Sequence, residues 1–203
     1  MERMYAPTLD HPSQFPTGLL AAAVSGSEAC HVTCAGDALA SAERTWLVLY
    51  TKSRQEKALA RCLLALEIPF YLPLIAKTTI CRGRRFRSRV PVFTNYLFLF
   101  ASTDERVRAL QTNRISRVLP VGDPERLEFD LRQLQRLIAS DAPLTIESRL
   151  TPGRRVRIRI GVLAGLEGVV VRRQGKSRLI ISVNYLQQGA SVEIEDCQVE
   201  PID

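Results

Sequence analysis

Apolar residues first fall into a regular pattern at Trp46, where a five-residue run to Tyr50 has the length of a strand. Ser53 and Glu56 follow at the spacing of a capping box, in which hydroxyl and carboxylate each satisfy an orphaned backbone N–H. The helix this predicts carries Ala58, Leu59, Cys62, Leu63 and Leu66 at steps of three and four, and Pro69 ends it. Residues 70–74 and 77–81 read as extended. Residues 81–89 set five arginines around Gly83, the pattern of a solvated hairpin tip or arm. In the run 90–100, Tyr96, Phe98 and Phe100 share one face of a strand and Leu97 and Leu99 the other. Such a strand is central, with one face under helices and the other covered by more of the chain or by a partner. A short helix over 104–112 with Val107 and Leu110 pointing inward, a strand over 115–121, and a helix capped by Asp130 and Gln133 that runs to about Ser140 complete the series. The order from residue 44 is β-α-β-β-β-α-β-α, an α+β layer of helices on a mainly antiparallel sheet.

After a polar linker at 143–151 the period changes. Val156, Ile158 and Ile160 alternate with Arg155, Arg157 and Arg159, and further strands are expected over 168–173, 178–185 and 191–195. Six of the chain's 11 glycines fall here, marking turns between strands, so residues 152–203 are expected to form a small five-stranded β-barrel. Residues 1–43 show no sustained period and read as a disordered extension.

Composition sharpens this picture. Of 203 residues, 46% are hydrophobic and 24% charged, which allows a buried core; no apolar run reaches the ~20 residues of a spanning helix. With five cysteines at irregular spacing, the chain is expected to be soluble, cytoplasmic and reduced, with no membrane partner. The net charge of +7 divides into −4 over residues 1–43, +9 over 44–142 and +2 over 143–203. Only four of the 28 basic residues are lysines, so the cation is overwhelmingly guanidinium, which forks onto phosphate and stacks on flat rings.

Catalysis finds little support. Both histidines, His11 and His31, precede the folded segments, so a histidine base or an activated Ser or Cys nucleophile is unavailable there, and no phosphate-binding glycine loop is present. Cys30, His31 and Cys34 lie close together but lack the second pair of ligands that a structural zinc site requires. No enzyme activity, cofactor or metal is expected.

Three segments carry a resemblance. Trp46-Leu-Val-Leu-Tyr50 leading into a helix, Pro91-Val-Phe93-Thr94-Asn95-Tyr96-Leu-Phe98, and Gly161-Val-Leu-Ala-Gly165-Leu-Glu-Gly168-Val resemble the NusG family of transcription elongation factors, the first two its N-terminal domain and the third the KOW motif of its C-terminal SH3-like barrel. Phe-Thr-Asn-Tyr in place of Phe-Pro-Gly-Tyr, with the preceding Arg-Gly-Arg-Arg, is similar to the specialised RfaH or polysaccharide-operon antiterminator type. The retained Gly161, Gly165 and Gly168 point to a stable barrel rather than a refolding helical hairpin. The resemblance implies a non-catalytic monomer with an RNA polymerase-binding domain at 44–142. Tyr50, Phe93, Tyr96 and Phe98 would dock on the polymerase clamp region, and Lys52, Arg54 and Arg114 would meet the non-template DNA strand. The KOW domain would contact a ribosomal protein or the termination factor Rho, through the 161–168 loop and the strand edge near Ile180–Val183. The alternative is a KOW-type RNA-binding or ribosome-associated protein, which would have no reason to carry residues 46–100.

Overall fold

The computed structural model describes residues 13–17, 19–20, 43–81, 84–140, 142–147, 153–173, 176–194 and 199–202. Cys30, His31 and Cys34 lie outside them. Five antiparallel strands form the first sheet: β1 (Gln14–Phe15), β2 (Thr45–Thr51), β3 (Phe70–Tyr71), β6 (Tyr96–Ala101) and β7 (Ile115–Pro120), in the order β1-β3-β6-β2-β7. Between β3 and β6 the chain makes a separate ribbon of β4 (Leu74–Cys81) and β5 (Arg84–Pro91), paired only with each other. The arginine-rich arm is therefore a strand in its own right, and the 90–100 run is broken by a turn at residues 92–95.

Register explains why this sheet needs two covers. Leu47 pairs with Leu99 and Leu49 with Leu97 on one face; Trp46 pairs with Phe100 and Val48 with Phe98 on the other. The leucine face is sealed by α1 (Glu56–Ala65) through Leu59 and Leu63, and by α2 (Thr103–Leu110) through Ala109. The aromatic face is sealed by α3 (Pro124–Ala139), whose Leu127, Leu131, Leu134 and Leu137 are all buried. At ~1.5–3 kcal/mol for each fully buried side chain, these leucines dominate the local energetics.

Three expected helix starts shift. Glu56 does not cap α1: the N-cap is Gln55 and makes no side-chain cap bond, because the Glu56 carboxylate instead accepts the Asn95 N–H at 2.7 Å. The capping box belongs to α2, where Ser102 Oγ accepts the Glu105 N–H and Glu105 accepts the Ser102 N–H at 2.8 Å. That helix buries Ala109, while Val107 and Leu110 stay exposed. Helix α3 begins seven residues before Leu131, on an Asp123 N-cap with Pro124 in its first turn, which leaves Asp130 and Gln133 buried mid-helix rather than capping.

The C-terminal strands β8 (Thr145–Glu147), β9 (Arg154–Ile158), β10 (Glu167–Arg173), β11 (Lys176–Val183), β12 (Gln188–Ile194) and β13 (Val199–Pro201) form one antiparallel sheet in the order β13-β9-β10-β11-β12-β8. Among the described residues its two edges, β13 and β8, do not pair, so the expected closed five-stranded barrel is a six-stranded sheet without closure. The added strand comes from the stretch read as linker: β8 pairs with β12, and buried Glu147 accepts the Ser191 hydroxyl at 2.8 Å. Nor does this sheet stand apart. Helix α3 touches both β2 and β11, and one apolar cluster runs from Trp46 and Phe98 through the α3 leucines to Leu179 and Ile181. Among the bonds that cross between the halves, the Asn184 N–H donates to Asp130 at 2.9 Å, Arg136 to the Ala164 carbonyl at 3.0 Å and the Tyr185 hydroxyl to the Pro120 carbonyl at 3.1 Å. A further part of the expected extension is ordered, since Gln14 and Phe15 pair with Tyr71 and Phe70 and Gln135 of α3 donates to Gln14.

Burial raises the Asp130 carboxyl above its ordinary value, against the pull of the Asn184 N–H and of Arg126, 3.3 Å away. A carboxyl that holds its proton more tightly in the folded chain contributes most to stability in acid. That contribution falls as pH rises from the ordinary carboxylate value through the raised one. Asp130→Asn, which keeps an acceptor for the Asn184 N–H, should flatten this dependence and be at least as stable at neutral pH. Asp130→Ala should lose about 1–3 kcal/mol by leaving the N–H unpaired; urea denaturation at acidic and neutral pH measures both.

Candidate functional site

One end of the first sheet collects most of the candidate residues. Strand β2 leaves through Tyr50, Thr51 and Lys52, β6 enters at Tyr96 and β7 begins after Arg114. Tyr50 and Tyr96 stand directly opposite in register, half-buried, with ring centroids 5.2 Å apart at 65°. This edge-to-face pair leaves both phenols at the sheet's rim. Phe93 and Phe98 do not join them as surface: both are fully buried, 5.9 Å apart at 83°, and Phe98 also stacks on Tyr71. Both were expected on a docking surface, and both lie inside the apolar cluster that also holds the α3 leucines.

The basic candidates are drawn into one network. Lys52 Nζ donates to Asn113 Oδ1 at 2.8 Å, its backbone N–H donates to the Arg114 carbonyl at 2.9 Å, and the half-buried Arg114 guanidinium donates to Gln55 Oε1. Arg54 is exposed beside them, with φ of 59°. Asn95 and Asn113, with φ of 67° and 55°, share that left-handed backbone on the same rim. Left-handed backbone is costly for an ordinary side chain and tolerated by asparagine, so Asn95 holds this turn without a glycine. Its N–H is taken by Glu56 and its carbonyl by the Thr51 N–H, both at 2.7 Å. Thr51 Oγ1, Asn95 Oδ1 and Arg114 Nε are buried there without a partner, polar capacity gathered at one edge. Gln55, Asn95 and Asn113 were not legible as site residues, although an asparagine before a strand aromatic is a turn signal.

The glycine segment lies in the second sheet. Gly161 and Gly165 sit in the loop between β9 and β10, Gly161 with φ of 100°, and a side chain on Gly168 would collide with the Ile180 carbonyl oxygen. The loop presents Ile160 and Val162, 66% and 89% exposed. The strand edge expected as a second surface is interior instead: Ile180, Ile181 and Val183 are buried, with β11 in the middle of its sheet and against α3.

Among the described residues no cluster of His, Cys, Asp and Glu could hold a metal ion, and no helix is long and apolar enough to cross a membrane. Residues 44–137 match the family described as "Transcription termination factor nusG". No curated protein matches the chain. A solved structure titled "Domain interaction in Thermotoga maritima NusG" is similar to it at 14% identity over 79% of this chain and 98% of that one, with a TM-score of 0.43.

Asn95→Gly should preserve stability and Asn95→Ala should cost about 1–2 kcal/mol, the price of left-handed backbone on a Cβ-bearing residue without asparagine's polar side chain. A urea titration of the two variants separates turn geometry from side-chain bonding.

Proposed function

We propose that the chain is a transcription elongation and antitermination factor. Its NusG-type domain binds RNA polymerase and suppresses pausing or termination, and the C-terminal sheet recruits a second partner. The observation that carries this reading is the family match over 44–137, within which Tyr50 and Tyr96 form a rimmed aromatic pair beside Lys52 and Arg114. Tyr50 and Tyr96 serve as the polymerase contact, backed by buried Phe93 and Phe98. Lys52, Arg54 and Arg114 serve the non-template DNA strand exposed in the transcription bubble, with phosphate contacts that make affinity fall with salt. The turn sequence Phe-Thr-Asn-Tyr favours an operon-specific factor of the RfaH type. The exposed Ile160 and Val162 supply an apolar tip for a ribosomal protein or Rho, held to α3 through Arg136. Binding of this kind needs no catalytic group, in keeping with residues 44–203 having no histidine.

Transcription in vitro past a pause and a terminator, with and without the purified protein, tests the reading; unchanged pause lifetimes and read-through would remove it. Tyr96→Ala should weaken polymerase binding by about tenfold or more, as interface aromatics do. It should cost only about 1 kcal/mol of stability, the scale of one aromatic pair. Lys52→Ala/Arg114→Ala should reduce the shift of bubble DNA bound to polymerase, with the loss largest at low salt.

A further inference from the structure

The β4–β5 arm carries a run of basic side chains with no acidic residue in its sequence. No acidic residue occurs between Glu67 and Asp104, and that interval holds Lys77, Arg82, Arg84, Arg85, Arg87 and Arg89. Arg85, Arg87 and Arg89 stand opposite Ile80, Thr78 and Ala76, so three guanidinium groups share one face of the ribbon at steps of about 6.6 Å. Arg84, Lys77 and the half-exposed Phe86 occupy the other face. Several arginines elsewhere bond to the protein itself: Arg44 to Glu105, Arg114 to Gln55, Arg136 to the Ala164 carbonyl, Arg157 to Glu167. The side chains of Arg84, Arg85 and Arg87 make no hydrogen bond or ion pair with a described residue.

The shape of the arm narrows the partner. Eight residue pairs extend it by about 26 Å, and it has no core of its own. A two-stranded ribbon fits the major groove of B-form DNA, roughly 12 Å wide, with phosphates on both walls. The A-form RNA groove is too deep and narrow for it. Guanidinium, which forks onto phosphate oxygens, is the cation for such contacts. Both legs leave the first sheet at the rim that holds Lys52 and Arg114: the Val92 N–H ties them by donating to the Pro73 carbonyl at 2.9 Å, and Asn95 joins the arm's exit to Thr51. We propose that the arm is a binding site for duplex DNA, lying in the major groove with Arg85 and Arg87 on the phosphates of one wall and Arg84 and Lys77 on the other. This surface is distinct from the single-strand contacts assigned to the rim.

The test uses the full chain and a short labelled DNA duplex without polymerase, with binding followed by fluorescence anisotropy across a salt series. Arg85→Gln/Arg87→Gln should weaken duplex binding about tenfold or more at low salt and lower the slope of log affinity against log salt by about 1.8, the value for two lost phosphate contacts. Arg85→Lys/Arg87→Lys, which keeps the charge, should keep the slope. Both pairs are solvent-exposed, and an unchanged far-ultraviolet spectrum and melting temperature confirm the fold. Unchanged affinity and slope in the glutamine variant would overturn the proposal and leave the arginines as a guard against edge-to-edge aggregation. Equal or tighter binding of single-stranded DNA or duplex RNA would overturn the groove assignment. Because polymerase is absent, either result leaves the elongation reading to its own assay.

Discussion

The antiparallel pairing of β2 with β6 places large apolar side chains on both faces of the central strands, and such a sheet holds together only when both faces are kept from water. Leucine pairs turn toward α1 and α2; Trp46, Val48, Phe98 and Phe100 turn toward α3. Everything else follows from the second of these demands. Helix α3 must lie across the aromatic face, Trp46 Nε1 reaches its Glu128 at 3.1 Å, and the far side of the helix is left with apolar surface of its own. The second sheet covers that side through Leu179 and Ile181, so the layers stack as helices, sheet, helix and sheet.

This stacking decides where chemistry can reside. Phe98 in the middle of β6 is consumed by the core, while Tyr96 at the strand's end and its neighbour Tyr50 are left at a rim. The same end gathers turns, and with them the left-handed backbone of Arg54, Asn95 and Asn113, the partnerless buried atoms of Thr51, Asn95 and Arg114, and the root of the arm. A rigid two-faced sheet with its irregular backbone concentrated at one end is a common way to mount a binding surface on a stable scaffold.

Much of this could be read from residue order because it rests on local periods. The alternation in 96–100, the three-four spacing of α1 and the arginine-rich arm each depend on residues a few positions apart. What escaped depends on distant partners. Glu56 has the right spacing to cap α1, yet it is taken by Asn95, 39 positions on. Asp130 and Gln133 imitate a cap, while the true start at Asp123-Pro124 resembles the close of the preceding strand. The three-residue strand β8 and two-residue strand β1 are too short to show a period, and nothing in a polar stretch with one proline announces that Glu147 will be buried against Ser191. Burial of Phe93 and Phe98 was likewise illegible, since composition cannot tell an aromatic face destined for a partner from one destined for the chain's own helix.

The position of α3 between two sheets has a consequence during synthesis. The first sheet and its three helices are complete once Ala139 has been made, but β11, which covers the outer side of α3, ends at Val183, 44 residues later. At roughly 5–20 residues per second the ribosome takes about 2–9 s to supply it. For that interval the helix already shields Trp46 and Phe98 from water while its own Leu137 side waits for Leu179 and Ile181. The nascent chain therefore passes through a state with a finished first half and an open apolar flank, which closes only when β11 arrives.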